Sequence, residues 1–245
     1  MSFFNFKKKK IDVKPKLTPF QLLFDLNESH DFQKLLAASI GTARANQIHF
    51  NEQVVKGQDW SVDLQTSRIT FGAASYPIQL IGTESTISNT WVWSWVNLSQ
   101  LPETSWQDML PIKEELKDFL HFTTEEIDLN ELVNGHNLSS IVAGFHPAHV
   151  CYYRCPYDGG AAYVLVKDLP TALFPPLSRI NLQKIILEVI AEQPAHHRIA
   201  VTSFLLENGG MLTETAESIL AELPNDGLLS IKFNQQNRVS SITLD

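Results

Sequence analysis

The chain has 245 residues, 44% hydrophobic and 19% charged, a globular composition long enough to bury a core without covalent staples. Two cysteines, Cys151 and Cys155, exclude a disulfide framework, and no stretch reaches the ~20 apolar residues of a membrane-spanning helix. The net charge of −8 is uneven: residues 1–16 carry +5 and the rest −13, which speaks against nucleic acid as a ligand of the folded body.

Residues 1–26 form a basic, aromatic tail and linker. Phe3, Phe4 and Phe6 precede Lys7, Lys8, Lys9 and Lys10, and Pro15 and Pro19 favour an extended chain. Two readings stand: a solvated tail, or a peripheral membrane contact in which the rings enter the interface and the lysines sit over anionic lipid. Residue 2 is serine, so myristoylation is unavailable, and no apolar region follows the lysines as a secretory signal requires. The expected location is cytoplasmic.

Residues 30–56 carry the clearest helical pattern, with Phe32, Leu35, Leu36, Ile40, Ala43, Phe50 and Val54 near three-to-four spacing. Asn27 or Ser29 is placed to cap it, and Gly57 ends it. Over 59–97 the period changes to two. DWSVDL, RITFG, YPIQLIGTES and NTWVWSWVN read as a four-stranded antiparallel meander, with Trp91, Trp93 and Trp95 on one face. PIKEELKDFLHF and TTEEIDLNELV read as short acidic helices, and HVCYYRCP and AAYVLVKD as a hairpin across YDGG. After the Pro175–Pro176 break, two helices separated by Pro194 lead into a three-stranded meander of SILAEL, LLSIKF and VSSITL. The expected class is α+β, with an antiparallel sheet on the long N-terminal helix. A main domain over 27–175 is followed by a C-terminal αα-βββ layer or subdomain over 176–245.

The three indoles are the most distinctive local feature. They make either a ligand platform, with Asp63, Glu84 or Asn97 at its edge, or the core between sheet and long helix. HPAHVCYYRC gathers two histidines and two cysteines. However, Cys151 and Cys155 lie ~13 Å apart on a strand, too far to share an ion, and no second cysteine pair exists. Core cysteines and no metal are the expectation. His196 and His197 point ~100° apart on a helix, and read as surface or capping residues. The Glu114/Glu115 and Glu125/Glu126 pairs read as solvated helix faces. The sequence holds no nucleophile elbow, phosphate loop or dinucleotide fingerprint, so no catalytic residue and no cofactor are assigned.

WSVDL (60–64), ITFG (69–72), IQLIGTES (78–85) and NTWVWSWVN (89–97) together resemble an uncharacterised bacterial family. Its members share a Trp-x-x-Asp-Leu strand, a Gly-Thr/Ser-Glu-like turn and a Thr-Trp-x-Trp-x-Trp-x-Asn signature. CYYRCP followed by GGAAYVLV is similar to that family's second hairpin, so the similar parts span roughly residues 30–170. The closing LLSIKFNQQNRVSSI resembles small bacterial meanders with a Phe-Asp-x-x-Gly-Arg turn, Asn234 and Asn237 standing for the Asp and Gly. The resemblance implies fold and origin and transfers no activity.

Three functional expectations follow. The first is a non-enzymatic interaction or accessory protein, immunity-like in that an acidic body can cap a basic partner protein. The second is a small-molecule binder or hydrolase whose cleft lies beside the tryptophan strand, with Asp63, Glu84 or Glu103 inside it. The third is recruitment to a membrane surface through residues 1–10.

Overall fold

A computed structural model describes residues 31–146, 150–192, 195–224 and 226–244. The tail with Phe3, Phe4, Phe6 and Lys7 to Lys10, the capping candidates Asn27 and Ser29, and His149 lie outside the described residues. Among the described residues no helix is long and apolar enough to cross a membrane.

The long helix α1 spans Phe32–Phe50 and runs on as a wider π turn over Asn51–Val55. Asp31 is its cap, accepting the Gln33 N–H at 2.8 Å. Lys56 and Gly57, both at positive φ, stop it. Seven of the nine residues from Ala37 to Ala45 are alanine, glycine, serine or threonine, the others being Ile40 and Arg44, and six of the small ones are buried. A helix buried on most sides needs small side chains where its neighbours cross.

The meander β1 (Trp60–Asp63), β2 (Arg68–Phe71), β3 (Ala74–Ser85) and β4 (Thr90–Trp93) forms as the alternation predicts. The hairpin β6 (Cys151–Tyr157) and β7 (Gly160–Val166) joins it, with β7 antiparallel to β3. Three details differ from expectation. TTEEIDLNELV is no helix: its Glu126–Asp128 forms β5, supplying Thr90–Val92 of β4 with a hydrogen-bonded neighbour. The tryptophan strand ends at Trp93, and Ser94–Val96 is a single 3₁₀ turn closed by Asn97 at φ 50°, so Trp95 leaves the strand. The C-terminal meander has four strands, because β8 (Met211–Glu214) pairs with β9 (Ser218–Leu223) ahead of β10 (Gly227–Phe233) and β11 (Val239–Leu244). The MLTE of β8 is two apolar residues followed by two polar ones, with no alternation to announce a strand.

Helices α2 (Met109–Glu115), α3 (Gly135–Phe145), α4 (Arg179–Glu192) and α5 (His197–Glu207) complete the fold. The first sheet is buried on both faces. One face carries Ile78, Leu80, Val164, Val166 and both cysteines against Phe50, Val54, Ile69 and Phe71. The other carries Ile81, Trp91, Trp93, Tyr163 and Leu165 against α1 and α3, in a core continuous with α4, α5 and the inner face of the C-terminal sheet. Cys151 and Cys155 are therefore buried, and burial raises both thiol pKa values, that of Cys155 to about 12.

Register in β3 shifts between Leu80 and Gly82, so Ile81 is an extra residue against β7. Such a bulge reverses the alternation beyond it. Ile78 and Leu80 face the cysteine side, whereas Glu84, also even-numbered, pairs with Ala161 and faces α3.

α1 crosses α5 at Gly41, where a Cβ would lie 2.8 Å from Cβ and Cγ of Phe204, and α3 at Ser39, 2.7 Å from a Cβ placed on Gly144. Gly41→Ala therefore overpacks the crossing near the backbone of Phe204, and should cost about 1–3 kcal/mol. Urea unfolding measures it; an unchanged midpoint contradicts the packing described.

Of the two histidines expected at the surface or as caps, His196 holds the cap position of α5, whereas His197 is only 7% exposed. Its Nδ1 accepts the Val239 N–H at 3.2 Å, tying α5 to β11, and its Nε2 has no partner among the described residues. Burial first, and the Arg238 charge second, hold its pKa below the ordinary histidine value. The unfolded chain takes the proton more readily than the folded one, so the stability due to His197 is full above ~6.5 and is lost as pH falls through it. Between about pH 7.5 and about pH 5.5 the wild type should lose more melting temperature than His197→Gln. Equal losses would contradict the assignment.

Candidate functional site

The site is assembled where α1, α3 and β6 meet. The edge strand β6 exposes carbonyls that α1 covers: Gln47 Nε2 donates to Tyr152 O at 2.6 Å and Asn46 Nδ2 to Val150 O at 3.4 Å. Alternation in β6 sends Cys151, Tyr153 and Cys155 to one side and Tyr152 and Arg154 to the other. The α3 helix begins at Gly135, capped by Asn134, whose Oδ1 accepts the Asn137 N–H at 2.9 Å. A Cβ on Gly135 would lie 2.5 Å from the Tyr163 ring and 2.7 Å from Glu84 Oε2, so glycine admits both to the helix start.

A cleft of about 460 Å³ opens between these elements. Ile40, Arg44 and Gln47 line it from α1, His136, Asn137 and Ser140 from α3, Tyr152, Tyr153 and Arg154 from β6, and Glu192 from the end of α4. The volume falls within the roughly 300–1,000 Å³ of small-molecule pockets.

Ion pairs within the protein hold the cleft's charges. Arg154 donates through Nε and Nη2 to Glu84 Oε1 at 3.0 and 2.8 Å, and Tyr163 donates to Glu84 Oε2 at 2.9 Å. Glu84 is the more enclosed partner, its side chain 14% exposed against 35% for Arg154. Its carboxylate raises the pKa of Arg154 through the hydrogen bond, and burial first and Glu84 second raise that of Tyr163. Arg44 bridges Glu192 at 2.5 Å and Glu188 at 3.3 Å. His136 Nδ1 lies 3.3 Å from the Tyr152 hydroxyl. Burial, the largest effect on His136, lowers its pKa, so the ring is neutral near pH 7. Burial likewise raises the pKa of Tyr152.

A model of the Family of unknown function (DUF6882) matches residues 33–169, more than half of the chain. The chain belongs to this family. No curated protein and no solved structure matches it. The family region contains every cleft residue named above except Glu192.

The residues singled out in the sequence divide between core, turns and site. Trp91 and Trp93 are buried. Trp93 donates its Nε1–H to His121 O at 2.9 Å and stacks on Trp95 at 4.5 Å, while Trp91 meets Tyr163 edge-on at 5.4 Å. Lys113 Nζ lies 5.1 Å above the Trp95 ring. The hollow beside Trp93 is about 40 Å³, space for a water molecule rather than a metabolite. Asp63 is exposed and closes its own turn, its pKa lowered by the Thr66 hydroxyl at 2.7 Å. Asn97 bonds both backbone groups of Leu101, at 2.8 and 3.0 Å. Glu103 is exposed in the 3₁₀ turn Glu103–Ser105. Of the described candidates, only Glu84 is tied to the cleft, as the half-buried partner behind Arg154.

Sequence reasoning missed Arg44, Gln47, His136, Asn137, Ser140, Tyr152, Arg154 and Glu192. Two carried a signal: Arg154 is the one charged residue of the strand CYYRCPY, and Arg44 breaks a helix segment of mostly small residues. Glu84→Ala should leave the Arg154 guanidinium and the Tyr163 hydroxyl without their acceptor and cost about 1–3 kcal/mol. Chemical denaturation with Thr83→Ala as control tests it; equal effects of the two substitutions would show that the network contributes nothing.

Proposed function

We propose that the protein is a binder of small molecules, acting in the cytoplasm, and that the cleft between α1, α3 and β6 is its ligand site. The observation that supports this most is a preformed cavity of about 460 Å³ whose polar side chains are already held by partners within the protein. Side chains fixed before binding lose little freedom on binding, which favours affinity. The unpaired buried thiols of Cys151 and Cys155 suit a reducing compartment. Net acidity, the basis for expecting a basic partner protein, is common to many surfaces, whereas this cavity is a local feature with defined chemistry.

A thermal-shift screen of purified protein against a metabolite library tests the reading. A ligand at 100-fold its dissociation constant should add about 2.7 kcal/mol of stability. Ser140→Leu, which fills the cleft from the α3 side, should abolish the shift. Hits that survive Ser140→Leu, or no hit in the library, would count against the cleft.

A further inference from the structure

The chemistry of the lining narrows the ligand class, and this step rests on the binding reading above. We propose that the cleft takes a neutral polyhydroxylated ring, a sugar of monosaccharide or disaccharide size. Arg154 is paired with Glu84 and the lining's Glu192 with Arg44, so these four groups balance; Glu188, outside the lining, also meets Arg44 and leaves one further negative charge there. An anion would have to break one of these pairs or enter with its charge unmatched, which is costly, and a cation would meet only the excess carboxylate beside Arg44, whose charge is already shared with the guanidinium and with solvent. The place most suited to an anion, beside the start of α3, already holds the Glu84 carboxylate.

What remains for a ligand is a set of fixed donors interleaved with fixed acceptors. Asn137 Nδ2 donates to Leu132 O at 2.8 Å, which leaves its side-chain oxygen to accept. Glu192 offers the carboxylate oxygen that does not meet Arg44. The two guanidinium groups hold further N–H donors beyond those used in their pairs. The Tyr152 hydroxyl and the neutral His136 ring share one hydrogen bond through Nδ1, which leaves His136 Nε2 and the remaining capacity of the hydroxyl for a ligand. A hydroxyl group donates and accepts at once, so a ring of hydroxyls meets such a lining without a net charge, and its C–H face can rest on the Tyr152 or His136 ring.

Saturation-transfer NMR with the full chain tests the class. The neutral probes are glucose, galactose, N-acetylglucosamine and maltose; the charged ones are glucose 6-phosphate, citrate and spermidine. The expected result is saturation of at least one neutral sugar, with affinity about tenfold weaker in Glu192→Ala and in Tyr152→Phe, one hydrogen bond being lost in each. Glu192 lies at the exposed rim and Tyr152→Phe removes a single heavy atom, and the melting curves of both variants report folding independently. Binding confined to the charged probes would overturn the sugar assignment while leaving the cleft as a binding site. Sugar binding unaltered by either variant would overturn it by placing the ligand elsewhere. Silence from every probe would overturn the sugar assignment, and together with an empty metabolite screen would remove the binding reading itself.

Discussion

The fold depends on the close approach of other elements to the middle of α1. Small residues let α3 cross at Ser39 and Gly144 and α5 at Gly41 and Phe204. The α5 crossing brings the helices near enough for a side chain to satisfy a main-chain group, as Ser203 Oγ does for Ala38 O at 2.6 Å. The C-terminal helices and their sheet are thereby joined to the first sheet in one hydrophobic core. Farther along, the same helix covers the edge of β6 with Asn46 and Gln47 and presents Arg44 toward α4. One helix therefore frames both the core and the cleft.

A second constraint works through β3. Without the bulge at Ile81, Glu84 would lie on the cysteine side of the sheet, among Ala162 and Val164, where a carboxylate has no partner. The reversed alternation sends it toward Arg154, Tyr163 and the start of α3, where two hydrogen-bonding side chains and a helix terminus stabilise its charge. Behind it, Trp91 packs on Tyr163, so the tryptophan cluster supports the back wall of the site. The indoles act on the site through packing, at one remove from any ligand.

The α+β class, the four-stranded meander, the second hairpin and both C-terminal helices were legible because their periodicities are long and clean. Short elements without a clear alternation were not. Glu126–Asp128 and Met211–Glu214 span three and four residues, and pairing with a neighbour decides their form. The site was mostly illegible for a different reason. Its residues come from four elements distant in the chain, and no spacing rule joins Arg44 to Tyr152 or to Glu192. Even Glu84, which was singled out, was assigned to the tryptophan edge, because a bulge leaves no mark in the pattern IQLIGTES. The conspicuous triplet of indoles is core in its first two members, and the third lies in a turn.

Hydrogen exchange read by mass spectrometry tests most directly the claim that α1 organises the molecule. If α1 is the common support of the core and the cleft, amides of residues 35–45 open only with global unfolding and exchange as slowly as those of β7. The short helix α2 and the hairpin tip at Ile87 should exchange far sooner. Exchange of 35–45 on the timescale of α2 would mean that the crossings at Ser39 and Gly41 do not hold, and that the cleft is not a preformed site.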